Sequence, residues 1–269
     1  MLPSLVIGAA MTATSVGISA RILGDLRQLQ TREGQTVLGA AVLDDVIGLV
    51  ILAVVAAIAA GGSVTPGSVG IIVAKAFGFL IAALVVGKLL VPGLFGWIAR
   101  KPAPGTVGAV ALAFALLLAA LADLGGSALI LGAFAAGLII HSTPERHAVE
   151  ESTAVVGHFF VPIFFASVGA AVDLPAMFSV DSLQLGGLLL VIGIIGKFLA
   201  GYAPFRAPIR HALVGVAMVP RGEVGLIFAQ MGLTVGVLNP ETFGAVMLMV
   251  IGTTLVTPPW LAWLVARRP

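Results

Sequence analysis

Long apolar runs follow one another along the whole chain, separated by short polar segments that often carry proline or glycine. A helix needs about 20 mostly apolar residues to cross the hydrocarbon core of a bilayer. Proline and glycine between such runs indicate turns. The pattern therefore predicts an all-α polytopic membrane protein with nine spans, at 1–20, 34–60, 66–98, 106–122, 126–141, 155–172, 183–203, 208–235 and 240–265.

The composition agrees with a membrane protein. Hydrophobic residues make up 59% of the chain and charged residues 10%, and the mean hydropathy is +1.16. A soluble domain carries about 25% charged residues. The absence of cysteine excludes a disulfide framework and a cysteine metal site. The histidines lack the spacing of a metal site, so we expect no cofactor; they are His141, His147, His158 and His211.

Basic residues are distributed unevenly between the two sides of the predicted topology. Alternate loops lie on opposite sides, and ten of the fourteen Lys and Arg residues fall on one side: Arg21, Arg27, Arg32, Arg100, Lys101, Arg146, Arg206, Arg210, Arg267 and Arg268. The other side carries only Asp123, Asp173, Asp181 and Glu241. The positive-inside rule places the basic side, and with it the C-terminus, in the cytoplasm. Topology thus explains the basic residues without nucleic acid, and we expect a plasma membrane of the bacterial inner-membrane type.

Two adjacent acids, Asp44 and Asp45, lie inside the second predicted span. A carboxylate near the middle of a span costs roughly 2.5–3.5 kcal/mol on insertion scales. Such residues usually carry a proton, bind a cation or pair with a buried base, and the pattern alone leaves all three uses open.

Lys197 is the one charged residue deep in its own span, and it needs a partner there. The candidate acids are Asp44, Asp45 and Glu223. The pair could be a fixed structural link between two helices, or it could break and form as ions and protons bind. Lys75 and Lys88 lie near the ends of a long, tilted span, where lysine side chains extend to the interface.

Two spans carry residues that interrupt a helix. The first contains a run of hydroxyls and a glycine at 12–17, and the eighth contains proline, glycine and two charged residues at 218–225. Proline removes a helical hydrogen bond. Irregular backbone at membrane depth is found where it is buried in protein or lines a cavity. In the nine-span topology the two interrupted helices run in opposite directions, which is typical of inverted-repeat transporters with a site at the midplane.

The chain resembles the monovalent cation:proton antiporter family, most closely its NapA-type and Kef-type branch. Four motifs carry the resemblance in order: Thr-Ala-Thr-Ser-Val-Gly at 12–17, Ala-Ala-Val-Leu-Asp-Asp at 40–45, Gly-Lys at 196–197 and Val-Pro-Arg-Gly-Glu-Val-Gly-Leu at 219–226. The resemblance implies a core with two crossing broken helices, a separate dimerisation domain, a homodimer, and an elevator-like movement of the core.

The resemblance also implies roles for single residues. Asp45, together with Asp44, would bind the transported Na⁺ or protons, and Asp44 would pair with Lys197. Thr12, Thr14 and Ser15 would line the site at the first interruption, and Arg221 and Glu223 would belong to the second. The double aspartate is similar to the electrogenic sodium–proton branch, whereas Kef-type potassium systems fit less well.

For the domains, the resemblance implies a first half of the core at 1–60, dimerisation or linker spans at 61–175 and a second half of the core at 176–269. About four further spans precede the first broken helix in the family. We therefore expect the chain to be N-terminally truncated, either by a misplaced start or as a remnant that does not transport.

The resulting hypothesis is a secondary transporter that exchanges a monovalent cation, Na⁺ first, for protons. The alternatives are a Kef-type K⁺/H⁺ antiporter and a non-transporting remnant. An intramembrane aspartyl protease needs two carboxylates that face each other. Asp44 and Asp45 are about 100° apart on one helix and do not face each other. A channel would use repeated carbonyl or acid motifs, and one acid pair suits a titrating site better.

Overall fold

The computed structural model of the chain describes residues 2–59, 66–99, 105–127 and 129–267. Arg100, Lys101 and Arg268, on which the predicted topology partly depends, lie outside the described residues. The regular elements of the described residues are all helices: α1 (Leu2–Thr12), α2 (Val16–Asp25), α3 (Arg32–Ala59), α4 (Pro66–Ala99), α5 (Thr106–Leu124), α6 (Leu129–His141), α7 (Arg146–Ala170), α8 (Leu174–Met177), α9 (Val180–Ala200), α10 (His211–Ala217), α11 (Glu223–Thr234) and α12 (Pro240–Ala266). The prediction of an all-α polytopic protein is confirmed.

The number of long spans differs from the predicted nine. Seven candidate spans among the described residues are long and apolar enough to cross a membrane. One of them, Leu2–Asp25, contains the interruption between α1 and α2. The predicted span 126–141 is a helix of 13 residues, α6, and the predicted span 208–235 is divided into α10 and α11. A hydropathy window counts apolar residues and cannot detect where the helical hydrogen bonding stops.

The chain divides into two compact units. The first comprises Met1–Gly48 and Ala170–Pro269, and the second comprises Leu49–Gly169. The first boundary falls within α3, directly after the segment that carries Asp44 and Asp45. The assignment of 61–175 to dimerisation or linkage stays a prediction.

The first unit is organised around α12. This helix packs against α9, α10 and α11, and many of its side chains are buried, among them Phe243, Val246 and Met249. Gly186 of α9 faces the Ala245 carbonyl oxygen so closely that a β-carbon there would lie 3.0 Å from it. Small residues allow such close helix packing in membranes.

A buried apolar cluster joins four helices of the same unit. It contains Leu23 of α2, Val37 of α3, Leu213 of α10 and Leu261 of α12. Near this cluster, Arg210 forms an ion pair with Glu33 in the first turn of α3, with a distance of 3.5 Å between Arg210 Nε and Glu33 Oε1. These contacts connect the helices that carry the candidate site.

The second unit contains α4–α7. Helix α6 packs against both α4 and α5. Lys75 and Lys88 of α4 are exposed. All the candidate site residues belong to the first unit.

Candidate ion-binding site

Two interrupted helices meet at the centre of the site. The first interruption, at residues 13–15, separates α1 from α2, and the second, at residues 219–222, separates α10 from α11. The amide of Ser15 donates a hydrogen bond to the carbonyl of Pro220 at 2.9 Å. Helix α1 packs against α11, and the Ser19 hydroxyl of α2 donates to a carbonyl of α10. The first half of each broken helix thus lies beside the second half of the other, as in an antiparallel crossing.

Gly222 makes the close approach of the two interruptions possible. A β-carbon at Gly222 would lie 2.6 Å from the Ser15 hydroxyl oxygen and 2.7 Å from its β-carbon. Any other residue would therefore push the two segments apart. Pro220, two residues earlier, has no amide hydrogen, so it cannot continue the hydrogen bonding of α10.

The carbonyls at the second interruption receive hydrogen bonds from outside the helix. The last carbonyls of a helix have no partner within it. Here Ala217 O accepts from the Ser19 hydroxyl (2.6 Å), Met218 O from the Thr14 hydroxyl (3.5 Å), Val219 O from the Arg221 guanidinium (3.4 Å), Pro220 O from the Ser15 amide (2.9 Å) and Arg221 O from the Thr254 hydroxyl (2.9 Å). The irregular backbone is therefore satisfied by protein groups, as the low-dielectric surroundings require.

Asp44 forms an ion pair with Lys197. The ammonium nitrogen lies 3.1 Å from Asp44 Oδ2, and both side chains are largely buried. The same oxygen accepts a hydrogen bond of 2.7 Å from the amide of Thr14. Asp44 therefore connects α3 both to α9 and to the first interruption.

Asp45 has a different environment. In the part of the chain that the structure describes, its carboxylate makes no hydrogen bond or ion pair, and the residue is only partly buried. Asp44 and Glu223 are both close enough to interact with it electrostatically. The carboxylate oxygens of Asp45 are thus free, whereas the carboxylate of the adjacent Asp44 already interacts with Lys197 and Thr14.

Glu223 and Ser15 connect the two interruptions through their side chains. The Ser15 hydroxyl donates to Glu223 Oε2 at 2.9 Å, and Ser15 is the N-cap of α2. Glu223 is the first residue of α11, where a negative charge interacts favourably with the helix dipole.

Arg221 is almost completely buried, with 1% of its surface exposed. Its guanidinium donates to the carbonyls of Gly193 at 3.3 Å and Val219 at 3.4 Å, and its Nε has no hydrogen-bond partner. No ion pair joins it to an acid among the described residues. Arg221 thus interacts with the partly negative carbonyl end of a broken helix.

The structure does not bring Thr12 to the crossing with the other hydroxyls. Thr12 is exposed, and its hydroxyl donates to the carbonyl of Ala9 in its own helix at 2.8 Å. By contrast, Thr14 and Ser15 are buried at the crossing and contact Asp44 and Glu223.

Three residues that the sequence reasoning missed also contact the interruptions. Ser19 donates to α10, and Thr253 and Thr254 of α12 bind the backbone of Arg221. Adjacent threonines shortly before Pro258 and Pro259 were the available signal, because polar residues inside a membrane helix often bind irregular backbone.

The crossing is rich in oxygen atoms, and carboxylate, carbonyl and hydroxyl oxygens are the ligands that hard cations prefer. No cluster of three or more His, Cys, Asp or Glu side chains that could hold a resident metal occurs in the described ranges.

Comparison with known proteins identifies the family. The sequence model described as "Sodium/hydrogen exchanger, transmembrane" matches residues 1–267. The high-affinity Na⁺/H⁺ antiporter NhaS3 of Synechocystis sp. is 38% identical over 266 residues, which cover 97% of this chain and 58% of the relative. The Na⁺/H⁺-K⁺ antiporter GerN of Bacillus cereus is 34% identical over 263 residues, covering 96% and 66%. The K⁺/H⁺ antiporter subunit KhtU of Bacillus subtilis is 27% identical over 260 residues, covering 94% and 64%.

The chain spans about three-fifths to two-thirds of the length of these relatives. All three are antiporters by name, which agrees with the expectation of a transporter rather than an enzyme. The match over nearly the whole chain shows that it belongs to the sodium/hydrogen exchanger family of transmembrane proteins.

Proposed function

We propose that this chain forms the ion-translocating part of an antiporter that exchanges a monovalent cation, Na⁺ first, for protons. The observation that carries the proposal is the unpaired carboxylate of Asp45 at the crossing of two broken helices, next to the Asp44–Lys197 ion pair. An acid without a protein partner inside a membrane span is by default a hypothesis for a functional site.

Coupling follows from competition for Asp45. A cation that loses part of its hydration shell takes oxygen ligands from Asp45, with Asp44 and the hydroxyls of Thr14 and Ser15 nearby. Protons bind the same carboxylates. Because the site holds a cation or protons but not both, a gradient of one drives movement of the other.

Lys197 accounts for the proposed electrogenic exchange. When a cation binds, Asp44 is drawn towards it and its ion pair with Lys197 weakens. An ammonium without its carboxylate partner loses a proton more readily. More than one positive charge then leaves the site for each cation that enters.

The relatives leave the cation open between Na⁺ and K⁺. Their names include Na⁺/H⁺, Na⁺/H⁺-K⁺ and K⁺/H⁺ antiporters. We place the protein in the plasma membrane as a homodimer with a cytoplasmic C-terminus, in line with the charge distribution and the family resemblance.

The substitution Asp45→Asn tests the proposal. In proteoliposomes with an internal pH dye, the unmodified protein should alkalinise the lumen when Na⁺ is added outside, because protons leave as Na⁺ enters, and Asp45→Asn should fall to the level of protein-free liposomes. Asp181→Asn is the matched control, since Asp181 lies in the first turn of α9, away from the crossing, and should transport normally.

The same assay separates the alternatives. Equal additions of Li⁺, Na⁺ and K⁺ identify the cation, and a potential-sensitive dye reports whether exchange moves net charge. Retained Na⁺-driven proton movement in Asp45→Asn contradicts the assignment of Asp45. A folded unmodified protein that responds to none of the cations indicates the non-transporting alternative.

A further inference from the structure

Helix α12 contacts the second interruption directly, although the proposed mechanism assigns none of its residues a role. It packs against α9, α10 and α11, and most of its inward side chains are apolar. Thr253, Thr254 and Thr257 are polar, and of these three Thr253 and Thr254 bind the second interruption. Thr253 is fully buried, and Thr254 is partly buried.

These two threonines form hydrogen bonds with both backbone polar groups of Arg221. The amide of Arg221 donates to the Thr253 hydroxyl oxygen at 3.3 Å, and the Thr254 hydroxyl donates to the Arg221 carbonyl at 2.9 Å. Arg221 lies in the interruption, so neither group has a helical partner. Thr253 uses its own hydrogen for the Val250 carbonyl at 3.0 Å, which leaves its oxygen free to accept.

Arg221 is connected both to the helix that carries Lys197 and to Glu223. The Arg221 guanidinium donates to the carbonyl of Gly193, one helical turn before Lys197 in α9. Two residues after Arg221, Glu223 begins α11 and accepts from Ser15. A shift of the Arg221 backbone would therefore displace Glu223 and change the surroundings of Lys197.

We propose that Thr253 and Thr254 are positioning residues for cation binding: they fix the Arg221 backbone and thereby the relative places of Glu223 and Lys197. The inference rests on the proposed antiport function. It adds a part of the site that lies on α12 and whose hydrogen bonds go to Arg221 and not to Asp44 or Asp45.

The variants Thr253→Val and Thr254→Val remove one hydroxyl each and keep the shape of the side chain. Thr257→Val is the matched control, because Thr257 is also buried in α12 but donates only to the Thr253 carbonyl of its own helix. Thr254→Ser keeps the hydroxyl. Loss of one buried hydrogen bond corresponds to a change of about 3- to 10-fold in an equilibrium constant.

In reconstituted protein we expect the apparent KM for Na⁺ to rise by about 3- to 10-fold in Thr253→Val and Thr254→Val, with a smaller change in the maximal rate. Thr257→Val and Thr254→Ser should stay within about twofold of the unmodified protein. An unchanged KM in both hydroxyl-deleting variants would overturn the proposal, and so would an equal rise in Thr257→Val.

Hydrogen exchange tests the contact without any need for transport. The Arg221 amide should be protected in the unmodified protein and should exchange about tenfold faster in Thr253→Val, but not in Thr257→Val. An unprotected Arg221 amide in the unmodified protein overturns the inference even if no variant can be purified. If the protein transports no cation but the exchange pattern appears, the proposed function fails while the contact stands.

Discussion

One oxygen of Asp44 accepts hydrogen bonds from two distant parts of the chain, the Thr14 amide at 2.7 Å and the Lys197 ammonium at 3.1 Å. Breaking a largely buried ion pair by removing one partner leaves an uncompensated charge. Here the Thr14 amide still stabilises the Asp44 carboxylate when Lys197 is absent, whereas Lys197 without Asp44 has no other acid as an ion-pair partner in the described residues. The two single substitutions are therefore not equivalent.

A double-mutant cycle measures this asymmetry. Asp44→Asn should lower thermal stability more than Lys197→Met, and the double variant should be more stable than the sum of the two effects indicates, by about 1–2 kcal/mol. Thermal unfolding in detergent gives the three values. Additive effects would show that the pair does not contribute to stability, and then its role would be in transport alone.

At the scale of single residues, the sequence analysis singled out the ionisable candidates because a charged residue inside a membrane span is easy to recognise. It did not single out Thr253 and Thr254, because the signal that they give, two adjacent threonines in an apolar span, is much weaker than that of a charged residue. The extra hydrogen bond of Asp44 to Thr14 could not be predicted, since it depends on which backbone amide the interruption turns towards α3.

At the scale of the helix, the crossing depends on an approach that leaves no space for a side chain at Gly222. Its hypothetical β-carbon would clash with Ser15, which is itself the N-cap of α2. The interruption is therefore fixed by two features that act together, a proline that ends α10 and a glycine that allows the partner segment to come close.

Gly222→Ala should impair cation transport or folding, because the two interruptions must separate. Gly17→Ala is the matched control: Gly17 lies in α2, and nothing lies within 4 Å of its hypothetical β-carbon. Combining Gly222→Ala with Ser15→Gly should restore part of the lost thermal stability, since the clash is with the Ser15 side chain. A stable, active Gly222→Ala protein would contradict the tight crossing.

The interruptions themselves could be predicted from proline, glycine and hydroxyl residues in otherwise apolar spans. The length of α6 could not be predicted, because its 13 residues belong to an apolar run that also fits a longer helix. The turn at Asp123, Gly125 and Gly126 ends α5 through backbone geometry, and Gly126 adopts a positive φ of 74° that favours glycine.

At the scale of the whole molecule, the residues of the candidate site lie within one compact unit, which combines the beginning and the end of the sequence. The family resemblance implies that residues 1–60 and 176–269 form the two halves of one core, and this assignment stays a prediction. The boundary within α3 was not predicted, because a continuous apolar helix gives no sign of where its contacts change from one unit to the other.

The absence of cysteine allows a direct test of the predicted topology. Single cysteines introduced at Asp181 and Glu241 should react with a membrane-impermeant maleimide on intact cells. Cysteines at Arg206 and Arg267 should react only after the membrane is permeabilised. The reverse pattern would invert the orientation and place the C-terminus outside.

Arg221 also determines the electrical balance of the empty site. With every group in its ordinary ionised form, three acids (Asp44, Asp45 and Glu223) face two bases (Lys197 and Arg221), which leaves one negative charge in surroundings that stabilise net charge poorly. While Lys197 keeps its proton, one sodium ion or one proton would bring the total to neutrality, whereas a divalent ion would leave an excess of positive charge. Loss of the Lys197 proton, as in the proposed electrogenic step, would then return the site to one negative charge. In the proposed transport cycle the buried guanidinium would thus favour cargo of single valence before any ligand distance discriminates between ions.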